Sequence, residues 1–186
     1  MPAFFMSLLA ALVLTAGARD QRMMADLAGK SNSSLALLFV GWLVATVVAS
    51  FAAVAALVLA PMLTPNARLM FLAIALLLAA FELCWMREDK AAKEPTQSLF
   101  AIAAVLLWRQ GSDGARFVLL GLAVLTGNPW LVALGGAVGG AAALTFAWSS
   151  AETYKQILPW RIIRIALAVI LTLLAVTFAA NARGIV

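Results

Sequence analysis

Long apolar stretches dominate the pattern of hydrophobic and polar positions along the chain, and short polar turns separate them. Each stretch is about as long as the helix of roughly 20 residues that crosses ~30 Å of hydrocarbon. The pattern therefore predicts six transmembrane helices. Their predicted ranges are 3–27, 33–60, 67–86, 97–124, 128–150 and 159–181.

A hydrophilic segment at 87–96 interrupts this pattern near the middle of the chain. We interpret it as a cytoplasmic linker between a first three-helix unit, 1–86, and a second, 97–186. Basic residues gather in alternate loops, and the positive-inside bias makes those loops cytoplasmic. The basic residues assigned to the cytoplasm are Lys30, Arg87, Lys90, Lys93, Lys155, Arg161 and Arg164, against Arg68 and Arg183 outside. We therefore expect a multi-pass protein of a bacterial inner membrane, with both termini periplasmic.

An internal repeat relates the two halves. Asp20 and Asp113 interrupt the first and fourth predicted helices, half a chain length apart, and Arg68 corresponds to Arg164 at an offset of 96 residues. Three helices per half would place the halves in opposite orientations. The predicted fold is therefore an all-α integral membrane protein with a 3+3 inverted repeat. Secondary transporters often have this architecture, with their sites at the repeat interface.

Composition excludes a water-soluble globule. Hydrophobic residues make up 65% of the chain and charged residues 11%, whereas soluble domains carry about 25% charged residues. The net charge of +5 fits cationic loops better than a nucleic-acid surface. The segment 1–18 resembles a signal peptide but lacks its charged start, so we expect a retained first helix.

The residue types also limit the chemistry. The chain has no histidine and one cysteine, Cys84, which excludes an intrachain disulfide, a Cys/His zinc site and a Ser-His-Asp triad. No phosphate-cradling Gly-Lys-Ser/Thr loop is present. We therefore expect no enzyme and no cofactor. Any bound metal would be a hard cation held by oxygen ligands.

The candidate site residues lie in two polar segments, 17–22 and 109–116, inside otherwise apolar helices. A charge in the bilayer costs at least ~2.5 kcal/mol, so these residues need partners or a water-filled cavity. Glu82 is either a supporting group or an interfacial side chain. The candidate ion or substrate ligands are Asp20, Asp113, Gln21, Gln110 and Ser112, of which the two aspartates would hold a metal, and the candidate ion-pairing groups are Arg19, Arg22, Arg109 and Arg116.

The two segments resemble a repeated motif, Glu-apolar-Gly-Asp-Lys/Arg-Thr/Ser, of a known family. This is Uncharacterised Protein Family 0016, the manganese/calcium–proton exchangers of Golgi, plastid and bacterial membranes, which is related to the lysine-exporter superfamily. The motif aspartates match Asp20 and Asp113, whereas Gly17 and Gln110 stand where the family has glutamates. The basic and hydroxyl positions are also replaced, at Gln21, Gly114 and Ala115.

The resemblance implies a secondary transporter that exchanges manganese or calcium for protons at the interface of the repeats. Two alternatives stay open. Because the motif glutamates are missing, the chain could be a transport-silent accessory or scaffold subunit of a larger membrane complex. The expected partners are the lipid bilayer and either a second copy, in a homodimer, or a larger membrane complex. Because arginines surround the aspartates, the substrate could instead be an amino acid or a small anion.

Overall fold

The described residues of the computed structural model, 1–30, 35–85, 98–150 and 159–185, form helices and short turns. A short 3-10 turn, Ala60–Met62, lies between the third and fourth helices. The helices are α1 Pro2–Leu14, α2 Arg19–Lys30, α3 Leu35–Leu59, α4 Pro65–Cys84, α5 Leu99–Gly111, α6 Gly114–Thr126, α7 Pro129–Ser149 and α8 Trp160–Ala182.

The chain is a multi-pass membrane protein. Within the described part, α4, α7, α8 and the segment Leu35–Met62 are each long and apolar enough to cross a bilayer. The bent pair α1 and α2 gives a fifth candidate span if it counts as one. Large apolar side chains on the outer surface, such as Phe39 of α3 and Ile162 of α8, are 62% and 67% exposed. These faces suit contact with lipid.

Two predicted helices, 3–27 and 97–124, are each broken in two. The first is interrupted between α1 and α2 with a bend of 66°, and the second between α5 and α6. We call these interruptions the first and second breaks. Both breaks coincide with the polar segments 17–22 and 109–116. There, polar groups can hydrogen-bond to the backbone N–H and C=O groups that a continuous helix would have paired. The linker 87–96 and the basic residues at 87, 90, 93 and 155 lie outside the described residues.

Local sequence signals explain where the other helices begin and end. Thr64 accepts a hydrogen bond from the amide of Ala67 at 3.4 Å, and Pro65 occupies the first position of α4. Gly127 ends α6 in the left-handed conformation, with φ of 64°, and Pro129 begins α7. Proline has no amide hydrogen to leave unsatisfied at a helix start, and glycine adopts positive φ without strain.

Small residues bring the helices close together. The main packed pairs are α4 with α8, α1 with α7, α3 with α7, and α4 with α6. At Gly121 of α6, an added Cβ would lie 2.9 Å from the side chain of Leu72 on α4. Gly135 of α7 likewise packs directly on the backbone of α1 beside Phe4. Small residues at such positions let helix backbones approach closely, and dispersion forces then hold the bundle together.

Candidate functional site

A cavity of about 530 Å³ lies where the two helix breaks meet the carboxyl end of α4 and the amino end of α8. This volume falls in the range of small-molecule sites. The cavity has both acidic and basic walls inside an apolar bundle. Its charged lining residues are Arg19, Asp20, Glu82, Arg109, Asp113 and Arg164.

The structure brings the two predicted aspartates together. Asp20 and Asp113 both line the cavity and lie near enough to repel one another electrostatically. Asp20 is only 3% exposed, whereas Asp113 is half-buried. Asp113 lies beside Glu82, which is near the carboxyl end of α4. It is therefore at the level of the end of α4 and not of its middle. Shared placement in one polar cavity is the geometry that the internal repeat predicts.

The first break is closed by hydrogen bonds within the protein. Gly17 has φ of 67°, a conformation that favours glycine. Its amide donates to Oε1 of Gln21 at 3.0 Å, and Nε2 of Gln21 donates to the carbonyl oxygen of Ala143 on α7 at 3.0 Å. The amide of Gln21 donates to Oδ1 of Asp20 at 2.9 Å. Gln21, a predicted ligand, thus uses its side chain to join the break to α7.

The second break is capped by two carboxylates. Asp113 is the N-cap of α6 and accepts from the amide of Ala115 at 3.4 Å. Glu82 of α4 accepts from the amide of Gly114. Carboxylates at a helix amino terminus satisfy free amides and complement the helix dipole. Glu82 is therefore a supporting group of the site through this cap.

Glycines make room for close contacts at both breaks. A Cβ on Gly114 would lie 2.8 Å from Cα of Ala79, so no larger residue fits there. A Cβ on Gly17 would lie 2.9 Å from the ring of Trp160. At both positions a neighbouring helix occupies the space that a side chain would need.

Arg164 is a site residue that the loop assignment missed. The charge pattern counts it among the cytoplasmic cations at the start of the helix 159–181, whereas in the structure it is 8% exposed and lines the cavity. Its guanidinium donates to the carbonyl oxygens of Gly17 at 2.8 Å, Glu82 at 3.2 Å and Leu83 at 3.4 Å. These carbonyls belong to the first break and the end of α4, where helix carbonyls lack intrahelical partners. In the sequence, the signal for a role of Arg164 in the site was its correspondence with Arg68 in the repeat.

The remaining predicted residues divide between the cavity and its surroundings. Ser112 lines the cavity, but its hydroxyl donates to the carbonyl oxygen of Trp108 at 2.9 Å. Arg109 lines the cavity and donates to the carbonyl oxygen of Arg19 at 3.4 Å, which joins the two breaks. Arg22 is near enough to Arg164 to repel it.

Gln110 and Arg116 form a buried pair behind the cavity wall. Nη2 of Arg116 donates to Oε1 of Gln110 at 3.0 Å, and the two side chains are 5% and 0% exposed. Nε and Nη1 of Arg116 and Nε2 of Gln110 have no hydrogen-bond partner among the described residues. Asp20 and Asp113 attract Arg116 electrostatically, yet its N–H groups hydrogen-bond to neither of them.

A second cavity, of about 330 Å³, lies between α3, α5 and α6. Arg116 is its charged lining residue, and the others are apolar, such as Val48 and Phe117. Ala115 lines the larger cavity and Arg116 the smaller one. Arg116 therefore lies in the wall that separates the two.

The electrostatic balance around the larger cavity is mixed. Three carboxylates, of Asp20, Glu82 and Asp113, face three lining arginines, and Arg116 adds a fourth cation behind the wall. Within the described ranges, no group of three or more His, Cys, Asp or Glu side chains is arranged to hold a metal ion. Such a site offers partners of both signs to a bound solute.

In comparisons with known proteins, the chain matches no protein-family model, no curated protein and no solved structure.

Proposed function

We propose that the chain is a secondary transporter of a small solute that carries a carboxylate, such as an amino acid, bound in the larger cavity. The observation that carries this proposal is the shared position of Asp20, Asp113 and Arg164 in one cavity at two helix breaks. Charged walls inside an apolar bundle cost free energy, and a role in binding or transport would explain why they are present.

The broken helices support transport. α2 and α6 begin at the cavity with Arg19 and Gly114, so their positive ends lie beside the charged side chains. Discontinuous helices of transporters line their substrate sites. Glu82 and Asp113 already cap α6, so the lining arginines would attract the anionic group of the substrate. The aspartates nearby suit an ammonium group. An amino acid offers both charges in one small molecule.

A divalent cation fits the site less well. Manganese and calcium need several oxygen ligands and gain from a surplus of negative charge. Here Arg164 lines the cavity, and Arg116 is attracted by the same two aspartates that would hold the metal. The cation–proton exchange implied by the family resemblance is therefore the second candidate function. The observation that supports it is the presence of both motif aspartates, Asp20 and Asp113.

The 3+3 inverted repeat with six spans is part of this proposal. The middle helices of the two halves, α3 and α7, pack on one another, and so do the last helices, α4 and α8. Both pairings join helices that a two-fold axis exchanging the halves would relate to each other. The two breaks also fall in the first predicted helix of each half. A pair of interrupted helices at corresponding positions is typical of such transporters.

Thermal unfolding in detergent, followed by flux in proteoliposomes, tests the proposal. We expect a panel of amino acids to raise the melting temperature of the wild-type protein, whereas manganese and calcium do not. In vesicles, Asp113→Asn should lower amino-acid flux about tenfold or more, because a hydrogen bond to a charged group contributes ~1.5–3 kcal/mol.

Asp26→Asn is the matched control. Asp26 is also on α2 but does not line the larger cavity, so flux should persist. Stabilisation by manganese that disappears in Asp113→Asn would contradict our proposal and favour cation exchange. No flux of any tested solute would favour the accessory or scaffold subunit instead.

A further inference from the structure

We propose that Gln110 and Arg116 are the anion-binding half of the site and take the carboxylate of the substrate. The proposal rests on the proposed transport function for its substrate class, but the binding itself can be tested without transport. It begins from three buried donor atoms that lack an acceptor: Nε and Nη1 of Arg116, and Nε2 of Gln110.

A cluster of this kind points to an acceptor ligand. Each buried donor left unpaired costs about 1–3 kcal/mol, so native proteins rarely retain three in two neighbouring side chains without use. The two side chains are already oriented, because Nη2 of Arg116 donates to Oε1 of Gln110 at 3.0 Å. A guanidinium presents its donors in a planar fork that matches a carboxylate.

The surroundings fix the position of this pair. Gly140 of α7 lies beside the guanidinium, since an added Cβ would lie 3.4 Å from Nη2 of Arg116. Gly140 lies midway along α7, which places the pair deeper in the bundle than the end of α4. The larger cavity lies on one side of this wall and the smaller cavity on the other.

Charge complementarity then orients the substrate. Asp20 and Asp113 attract Arg116, and the same carboxylates would attract an ammonium group. A zwitterion that places its ammonium at the aspartates and its carboxylate on Arg116 satisfies both halves at once. The three donor nitrogens are buried, so binding of a carboxylate from the larger cavity requires the Arg116 side chain to move towards it. A solute with only one of the two charges leaves one half unpaired.

Acetate and acetamide are the probes that test this inference. They have similar size, but only acetate carries the charge that a guanidinium binds, and neither has an amino-acid side chain to be rejected. We expect acetate to raise the melting temperature of the purified full-length protein in detergent at constant ionic strength, with little effect of acetamide. Equal effects of the two probes on the wild-type protein would overturn the proposal.

Three variants identify the residues. Arg116→Met should weaken acetate binding by roughly 30-fold or more, as for loss of one member of a buried charge pair. Gln110→Glu keeps Arg116 and supplies an internal carboxylate, so it should abolish acetate stabilisation even if Arg116→Met fails to fold. Arg68→Met removes an arginine that donates to the carbonyl oxygens of Ala60 at 2.7 Å and Leu63 at 3.2 Å, and acetate stabilisation should persist.

Persistence of acetate stabilisation in Gln110→Glu would also overturn the inference. Failure of the anion-site inference can be distinguished from failure of the transport proposal. Acetate binding that requires Arg116, in a protein that moves no solute, would leave the anion site standing and remove the transporter. Amino-acid flux that requires Asp113 but not Arg116 would do the reverse.

Discussion

The two helix breaks carry corresponding aspartates but differ in how their polar groups are used. At the first break, both polar ends of the Gln21 side chain bond within the protein, to the amide of Gly17 and the carbonyl of Ala143. At the second break, Nε2 of Gln110 and two nitrogens of Arg116 have no hydrogen-bond partner in the described part of the chain.

This difference separates a fixed side of the site from a responsive one. Arg164 further holds the first break by its bond to the carbonyl oxygen of Gly17. At the second break, a ligand or a change of conformation would supply acceptors for the unpaired donors of Gln110 and Arg116. Because the proposed transport function needs a preformed site that can also rearrange, we expect substitutions at the first break to act mainly on stability. Substitutions behind the second break should act mainly on ligand binding.

The largest expected effect is at the start of α6. Gly114→Ala should destabilise the protein by about 3 kcal/mol, because the new methyl group overpacks against Ala79 and displaces Glu82 from its cap. Added Cβ contacts of 2.8 Å to both residues support this. Thermal unfolding in detergent should show a melting temperature lower by roughly 6–12 °C.

Gly111→Ala is the control for this prediction. Gly111 ends α5 and nothing lies within 4 Å of its added Cβ, so the substitution should be neutral or slightly stabilising. Equal losses at the two glycines would show that α6 does not depend on its close contact with α4.

The next effect sharpens the role of the first break. Arg164→Met should lower stability by about 2 kcal/mol, since three carbonyl oxygens, including that of Gly17, lose a charged donor. Arg161→Met is its control, because Arg161 is exposed on the same helix. Limited proteolysis near the first break should increase only in Arg164→Met. Protection equal to that of the wild type would contradict the restraining role of Arg164.

The same substitution at both breaks tests the comparison directly. Gln21→Glu should destabilise by about 1–2 kcal/mol, because the donor to Ala143 is lost and a charge is buried. Gln110→Glu should keep or raise stability, because its carboxylate pairs with Arg116. Unfolding in detergent measures both, with the wild-type protein as reference. Equal destabilisation at the two positions would remove the distinction between fixed and responsive breaks.

Much of the fold was predictable because each span has to match the thickness of the bilayer. The predicted ranges 33–60, 67–86, 128–150 and 159–181 agree with the observed helices within a few residues. The ranges 3–27 and 97–124 were drawn as continuous helices. Hydrophobicity averaged over a span does not report a bend, but Gly17 with its positive φ and Asp113 as a cap both break the helix locally.

The candidate site was predictable in part for a similar reason. Polar residues inside apolar segments identified Asp20 and Asp113, and repeat symmetry predicted that they meet in one cavity. The hydrogen-bond partners were not predictable, because they depend on packing between distant helices. Arg164 reaches Gly17 across 147 sequence positions, and Glu82 caps a helix in the other half of the chain. The charge pattern counted Arg164 only as a cytoplasmic cation at the start of the helix 159–181.

The smallest expected effect concerns Ser112, which sequence reasoning named as a ligand. Its hydroxyl donates back to the carbonyl oxygens of Trp108 and Arg109, at 2.9 and 3.2 Å, on its own helix. Since the residue is exposed, Ser112→Ala should change stability by less than about 0.5 kcal/mol. Amino-acid flux should also stay within about twofold of the wild-type value, since this hydroxyl already has acceptors in the backbone. A tenfold loss of flux with unchanged melting temperature would instead place Ser112 among the groups that bind substrate and extend the responsive side of the site into the cavity.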